Sequence, residues 1–102
     1  MNSLNNISNF YFIGIGGIGM SALARYFKAA GKNVAGYDKT PSEITRSLNA
    51  LGIDITFNDS LDEITALYKN QQNTLVVYTP AVPTTHLGYQ YFQQNNFKIL
   101  KR

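Results

Sequence analysis

The chain has no cysteine, no tryptophan, a single histidine and only 15% charged residues among its 102. Without cysteine it can hold no disulfide scaffold, no thiolate metal site and no Cys nucleophile. His86 stands alone, with no second His or Cys to complete a metal site of the usual ligand type. The charged fraction falls well under the usual ~25%. Eleven Asn and five Gln supply polar surface instead, so this is not a charge-driven disordered chain. Long apolar runs are missing as well. The most apolar stretch, Phe10 to Ala24, is broken by four glycines and is shorter than the ~20 residues of a bilayer span. No basic segment precedes it, so neither a membrane span nor a secretion signal is expected. The net charge of +3 comes from scattered Lys and Arg, with Lys101 and Arg102 as the only adjacent pair. No basic stripe points to nucleic acid. A cytoplasmic protein without a membrane or nucleic-acid partner is the expectation.

What is present is an alternation of short apolar runs with helical patterns. Phe10 to Ile15 reads as a strand buried on both faces. Ser21 to Ala30 carries a stripe of Leu23, Ala24, Phe27 and Ala30, closed by Gly31. Asn33 to Asp38 is a second strand. Thr40-Pro41-Ser42-Glu43 predicts a capping box opening a helix with Ile44, Leu48 and Leu51 inward. Asp54 to Phe57 is a third strand, and Ser60-Leu61-Asp62-Glu63 predicts another capped helix with Ile64, Leu67 and Tyr68 inward. Thr74 to Tyr78 is a fourth strand, Thr85 caps a last helix to about Asn95, and Phe97 to Leu100 is a fifth strand. The alternation predicts an α/β fold: a Rossmann-like open parallel sheet of order 3-2-1-4-5 with helices on both faces. Residues 1–9 read as a polar leading segment and residues 10–102 as one domain. The fifth strand stops just before Arg102, which reads as a cut, not as the end of a working protein.

The chemical signal is Gly14-Ile15-Gly16-Gly17-Ile18-Gly19, a GxGxxG motif between a predicted strand and a predicted helix. In that setting Gly14 permits the tight turn, Gly16 lets backbone approach a diphosphate, and Gly19 lets helix and strand pack closely. The N–H groups from Gly17 to Met20 would sit at a helix N-terminus, where the dipole favours phosphate. Asp38, ending the second strand, is placed to accept hydrogen bonds from a ribose. Together these indicate a nucleotide with a diphosphate, without saying which. Catalytic groups are thin. Thr84 and Thr85 read as helix caps, Asp62 and Glu63 as first-turn acids that do not face each other, and no GxxxxGK[ST] loop is present. No catalytic residue and no metal ligand is expected.

Phe12-Ile13-Gly14-Ile15-Gly16-Gly17-Ile18-Gly19-Met20-Ser21 resembles the opening signature of the Mur ligases. Gly36-Tyr37-Asp38 is similar to that family's Gly-Ser-Asp, and Thr45 falls where many members carry Thr. Val76-Val77-Tyr78-Thr79-Pro80-Ala81-Val82 resembles its V-V-x-S-S-A-V/I segment, and Lys101-Arg102 sits where members have a basic residue before a linker. The resemblance covers about Phe10 to Arg102 and implies the first of three domains, the one that binds UDP. It is strongest for the branch that joins L-alanine to UDP-N-acetylmuramate in peptidoglycan precursor synthesis. ATP and Mg²⁺ would serve a central domain, activating the lactyl carboxylate as an acyl phosphate for attack by the amine. This part alone is expected to be inactive and to need no cofactor.

Carried over, the resemblance implies that Gly16, Gly17, Ile18, Gly19 and Met20 cradle the diphosphate through N–H groups, with Gly14 and Ser21 framing them. It implies that Asp38 contacts the uridine, with Tyr37 over or beside the uracil. Thr79, Pro80, Ala81 and Val82 would line the other side of the cleft. Two departures stand out. Asn58-Asp59 replaces an Asn-His pair, setting a carboxylate where members have a donor. Thr79-Pro80 replaces Ser-Ser, so one hydrogen bond must come from elsewhere, such as Ala81 N–H. A second reading, from a different class, is an NAD-binding module of a dehydrogenase or sensor. A neighbour of the first is the ligase that recycles cell-wall tripeptide onto UDP-N-acetylmuramate.

Overall fold

The structure, a computed structural model, describes residues 6–102, so residues 1–5 of the leading segment lie outside the described residues. Five parallel strands form one sheet: β1 (Asn9–Ile13), β2 (Asn33–Tyr37), β3 (Asp54–Thr56), β4 (Thr74–Tyr78) and β5 (Lys98–Lys101), in the order β3-β2-β1-β4-β5. This is the expected order, and the right-handed crossovers of βαβ units account for it. Ile7 is buried at 3% exposure and Asn9 opens β1, so the packed unit includes the end of the leading segment.

Every residue of β1 is buried, because the strand is central and covered on both faces. Phe10 and Phe12 point to one side, where Ile15, Met20, Ala24, Val34, Leu48 and Val77 complete the core. That layer is closed by α1 (Ile18–Ala29) and α2 (Glu43–Ala50). Tyr11 and Ile13 point to the other side, against Ile64, Tyr68, Val76, Phe92 and Phe97. There the cover is α3 (Leu87–Gln94) and two 3₁₀ turns, Leu61–Glu63 and Ala66–Lys69.

Three local expectations are corrected. The cap of α2 is Ser42, not Thr40. Ser42 Oγ accepts from Thr45 N–H at 3.2 Å and Thr45 Oγ1 accepts from Ser42 N–H at 2.8 Å. Thr45 thus does the work expected of Glu43, while Thr40 N–H goes to Asp38. The helix expected after Ser60 is two 3₁₀ turns. Its break falls at the adjacent β-branched Ile64 and Thr65, both with extended backbone, where χ1 crowding disfavours a helix. Finally, α3 is capped by His86, not Thr85; its Nδ1 accepts from Tyr89 N–H at 3.1 Å.

Thr45 is fully buried and belongs to both halves of the box. Thr45→Ala is expected to lower stability by about 1–2 kcal/mol, and Thr45→Ser by much less. Thermal unfolding measures both, and equal midpoints for the two variants would show that the hydroxyl contributes nothing.

Candidate functional site

The register aligns Ile13 of β1 with Tyr37 of β2 and with Tyr78 of β4. The residues that follow, Gly14, Asp38 and Thr79, therefore leave the sheet at a common edge. Strand order reverses between β1 and β4, which opens a crevice at the carboxyl ends of the strands. It forms a cleft of about 450 Å³ lined by Gly14, Gly16, Asp38, Lys39, Thr79 and Val82 among others.

Gly14 makes the turn out of β1 with φ +94°, and a Cβ there would overlap the Thr79 methyl group. Glycine is required here for conformation and for space. Gly16 comes next, and its N–H donates to Asp38 Oδ1 at 2.9 Å while Thr40 N–H donates to Asp38 Oδ2 at 3.2 Å. Asp38 therefore ties the end of β2 to the glycine loop before any ribose reaches it. Gly17 N–H donates to Gly14 O at 3.2 Å. The expectation that amides from Gly16 onward are free for phosphate is thus corrected: those of Gly16 and Gly17 are used within the fold. The N–H groups of Ile18, Gly19 and Met20 have no partner among the described residues, as the first turn of a helix dictates.

Two more positions differ from expectation. Ser21 is buried and its hydroxyl donates to Ile18 O at 3.0 Å, so its side chain serves the helix. The smallness of Gly19 serves an arginine, not helix-to-strand packing: a Cβ at Gly19 would collide with the Arg102 guanidinium. Arg102 N–H donates to Tyr78 O at 2.8 Å, which carries β5 far enough for the guanidinium to reach across β4 to the start of α1. The first turn of α1 holds no acidic residue. A cation beside the positive end of a helix dipole is unfavourable unless an anion joins them. Sequence reasoning gave Arg102 no role, because the contact depends on the β4–β5 register. Met20 contributes its amide while its side chain lies in the core, 3% exposed, and Ile18 stands 83% exposed at the mouth.

The opposite wall runs from Thr79 to His86. Thr79 N–H donates to Ile13 O at 3.3 Å and Val82 N–H to Thr79 O at 3.0 Å. Ala81 N–H points at Thr79 Oγ1 over a long 3.4 Å, and Pro80 is exposed. Asp59 is engaged by the start of α3. Its oxygens accept from Leu87 N–H at 3.0 and 2.9 Å and from Gly88 N–H at 3.3 Å, so the carboxylate satisfies the start of α3. His86 is 6% exposed, with Nε2 3.2 Å from Asp59 Oδ1 but outside hydrogen-bond alignment and without another partner. Burial pushes its pKa down, partly opposed by Asp59. The Tyr37 ring lies 4.4 Å from the imidazole. Tyr37, Lys39, Val82, Thr85 and His86 line a second cavity of about 250 Å³ that shares residues with the cleft.

Among the described residues no group of His, Cys, Asp or Glu could hold a metal ion, and no helix is long and apolar enough to cross a membrane.

Comparison with known proteins fits this geometry. The chain is 58% identical over 100 residues to a UDP-N-acetylmuramate–L-alanine ligase of Flavobacterium johnsoniae, covering 98% of this chain and 22% of that protein. It is 52% identical over 103 residues to the enzyme of that name from Christiangramia forsetii, covering 100% of this chain and 23% of the relative. The chain thus spans less than a quarter of the length of these relatives. The crystal structure of the UDP-N-acetylmuramate-alanine ligase of Thermotoga maritima superposes with a TM-score of 0.80 at 33% identity, covering 92% of this chain and 20% of that one. The family model described as "Mur ligase family, catalytic domain" matches residues 9–102. A glycine loop at the switch point of a 3-2-1-4-5 sheet, found in a chain matched over nearly its whole length, leads to one conclusion: this chain belongs to the Mur ligase family.

Proposed function

We propose that this chain binds the UDP moiety of UDP-N-acetylmuramate, as the nucleotide-binding part of a cytoplasmic ligase that adds L-alanine to that substrate. The observation that carries the reading is the meeting of three unpartnered amides, Ile18 to Met20, with the Arg102 guanidinium at the start of α1, directly after Gly17 of the cleft lining. Backbone donors at a helix start and a nearby cation are what a diphosphate requires. The names of the relatives supply the nucleotide sugar and the amino acid. The described residues offer no metal-binding cluster and the sequence has no Walker loop, so in this reading ATP and Mg²⁺ are held elsewhere in the ligase.

Within this part of the protein the work is binding and orientation. Asp38 fixes the glycine loop that leads into the free amides of α1. Thr79 and Val82 close the far side.

Titration with UDP-N-acetylmuramate, UDP, NAD⁺ and ATP, followed by amide NMR shifts, tests the reading. Shifts at Ile18, Gly19 and Met20 are expected with both uridine compounds. Shifts with NAD⁺ alone would replace this reading with the dehydrogenase or sensor one. Arg102→Gln is expected to weaken UDP about ten-fold, the share of one charge-assisted contact, and to flatten the salt dependence of binding. Equal salt slopes for the variant and the parent would remove Arg102 from the site.

A further inference from the structure

We propose that Asp59 and His86 are positioning residues for the nucleotide, holding the Thr79–His86 wall at its working distance from the glycine loop without touching the ligand. The inference rests on the nucleotide reading above and concerns what sets the width of the cleft.

A continuous set of contacts joins the two walls. Gly16 N–H is held by Asp38. The neighbouring Tyr37 ring packs on His86 at 4.4 Å. His86 Nε2 lies 3.2 Å from Asp59 Oδ1. Asp59 in turn takes the amides of Leu87 and Gly88. Asp59 reaches this wall from the loop after β3. Its carboxylate also occupies the amides at the start of α3, which leaves those of α1 as the free donors for a diphosphate. A carboxylate with both oxygens engaged by amides repels a bound phosphate less than a free one does.

His86 adds a proton-dependent element. Its Nδ1 accepts from Tyr89 N–H, which requires a ring without a proton on Nδ1 and leaves Nε2 to carry it, near Asp59 but not aligned with it. Protonation places a hydrogen on Nδ1 and breaks the cap. The groups facing the ring are Asp59 from the loop after β3, Tyr37 from β2, Lys39 across the shared cavity, and Gly88 and Tyr89 on its own helix. The imidazole pKa is lowered in the fold, mainly by burial. The neutral ring's contribution is therefore full above the unfolded value of about 6.5 and lost as pH falls through the lower folded value.

The test measures binding of UDP-N-acetylmuramate against pH. Its diphosphate diester keeps a constant charge where the terminal phosphate of UDP, with a pKa near ~6, would titrate. Parent affinity is expected to fall several-fold as pH drops through the lowered folded pKa of His86, and to hold down to the ordinary imidazole value of about 6.5. His86→Asn retains a side-chain acceptor for Tyr89 N–H without titrating but loses the ring that packs on Tyr37, so it should bind more weakly than the parent at neutral pH and show no acid loss. Asp59→Ala should weaken binding about ten-fold at neutral pH, and it should move the acid loss to lower pH because the group that opposes the downward shift is gone. Asp59→Asn keeps one acceptor oxygen and should recover part of the affinity. An acid loss in His86→Asn equal to that of the parent overturns the proposal. So does parent-like affinity in both Asp59 variants, with folding checked by amide spectra. If the chain binds NAD⁺ and not the uridine compounds, yet with the same His86 dependence, the positioning role stands and the UDP reading falls.

Discussion

Gly16→Asp is expected to lose UDP binding by about a hundred-fold or more while the sheet still forms. A Cβ at Gly16 would lie 3.0 Å from the Asp38 carboxyl carbon, so the new side chain must turn into the cleft or push Asp38 aside. Either way a second carboxylate stands beside the place where the diphosphate docks. Two unit charges about 5 Å apart at an effective dielectric of ~20 repel by roughly 3 kcal/mol, which is about a hundred-fold in affinity. The backbone at Gly16 has no positive φ, so the substitution adds no conformational strain of the kind Gly14 would suffer. Isothermal titration reads the loss, and thermal unfolding shows that the domain persists. Affinity within three-fold of the parent, by ~RT ln 3, would mean the phosphates lie elsewhere.

Gly14→Val is expected to act on stability instead. Its φ of +94° is one that side chains rarely adopt, and its Cβ would overlap the Thr79 methyl group and meet Val82 at 3.3 Å. Strained backbone costs about 1–3 kcal/mol, and overpacking a buried site about as much again. A loss of roughly 3–5 kcal/mol is a large share of the ~5–15 kcal/mol of a domain, and it should lower the melting midpoint by more than about 10 °C. Gly31→Ala is the matched control. It has φ +87° but nothing within 4 Å of the added atom, so only the backbone part of the penalty remains, about 1 kcal/mol. Equal midpoints for the two variants would show that the contact with Thr79 carries none of the effect.

These two variants separate what the loop does for the fold from what it does for the ligand. Gly14 is needed to leave β1 and pass Thr79. Gly16 brings backbone close to Asp38 and, in the proposed function, to a phosphate. One motif thus contains a glycine needed for the turn and one that meets Asp38, and the third, Gly19, makes room for Arg102.

Periodicity and local chemistry determined most of the fold. Alternating apolar runs, the GxGxxG turn and the glycines at Gly31 and Gly52 place the five strands and two of the helices, because these signals depend on near neighbours in sequence. The same local signals place the glycine loop and Asp38 together at the carboxyl edge. They also carry the likeness to the family. What tertiary structure alone decided is the partner of each polar group. Asp38 was legible as a carboxylate at a strand end, but its bond to Gly16 N–H spans two strands. Asp59 read as a misplaced negative charge until α3 delivered Leu87 and Gly88 amides to it. Arg102 came to lie at Gly19 only through β5 pairing with β4. His86, which read only as a lone histidine, is buried with Tyr37 and Asp59 against it. The segment after Ser60 had a good start signal but a break at Ile64 and Thr65, where burying Ile64 in the core outweighed continuing a helix. Hydrogen bonds between residues far apart in sequence have no periodic trace, so here the sequence sets the elements while the packed sheet sets which charges meet.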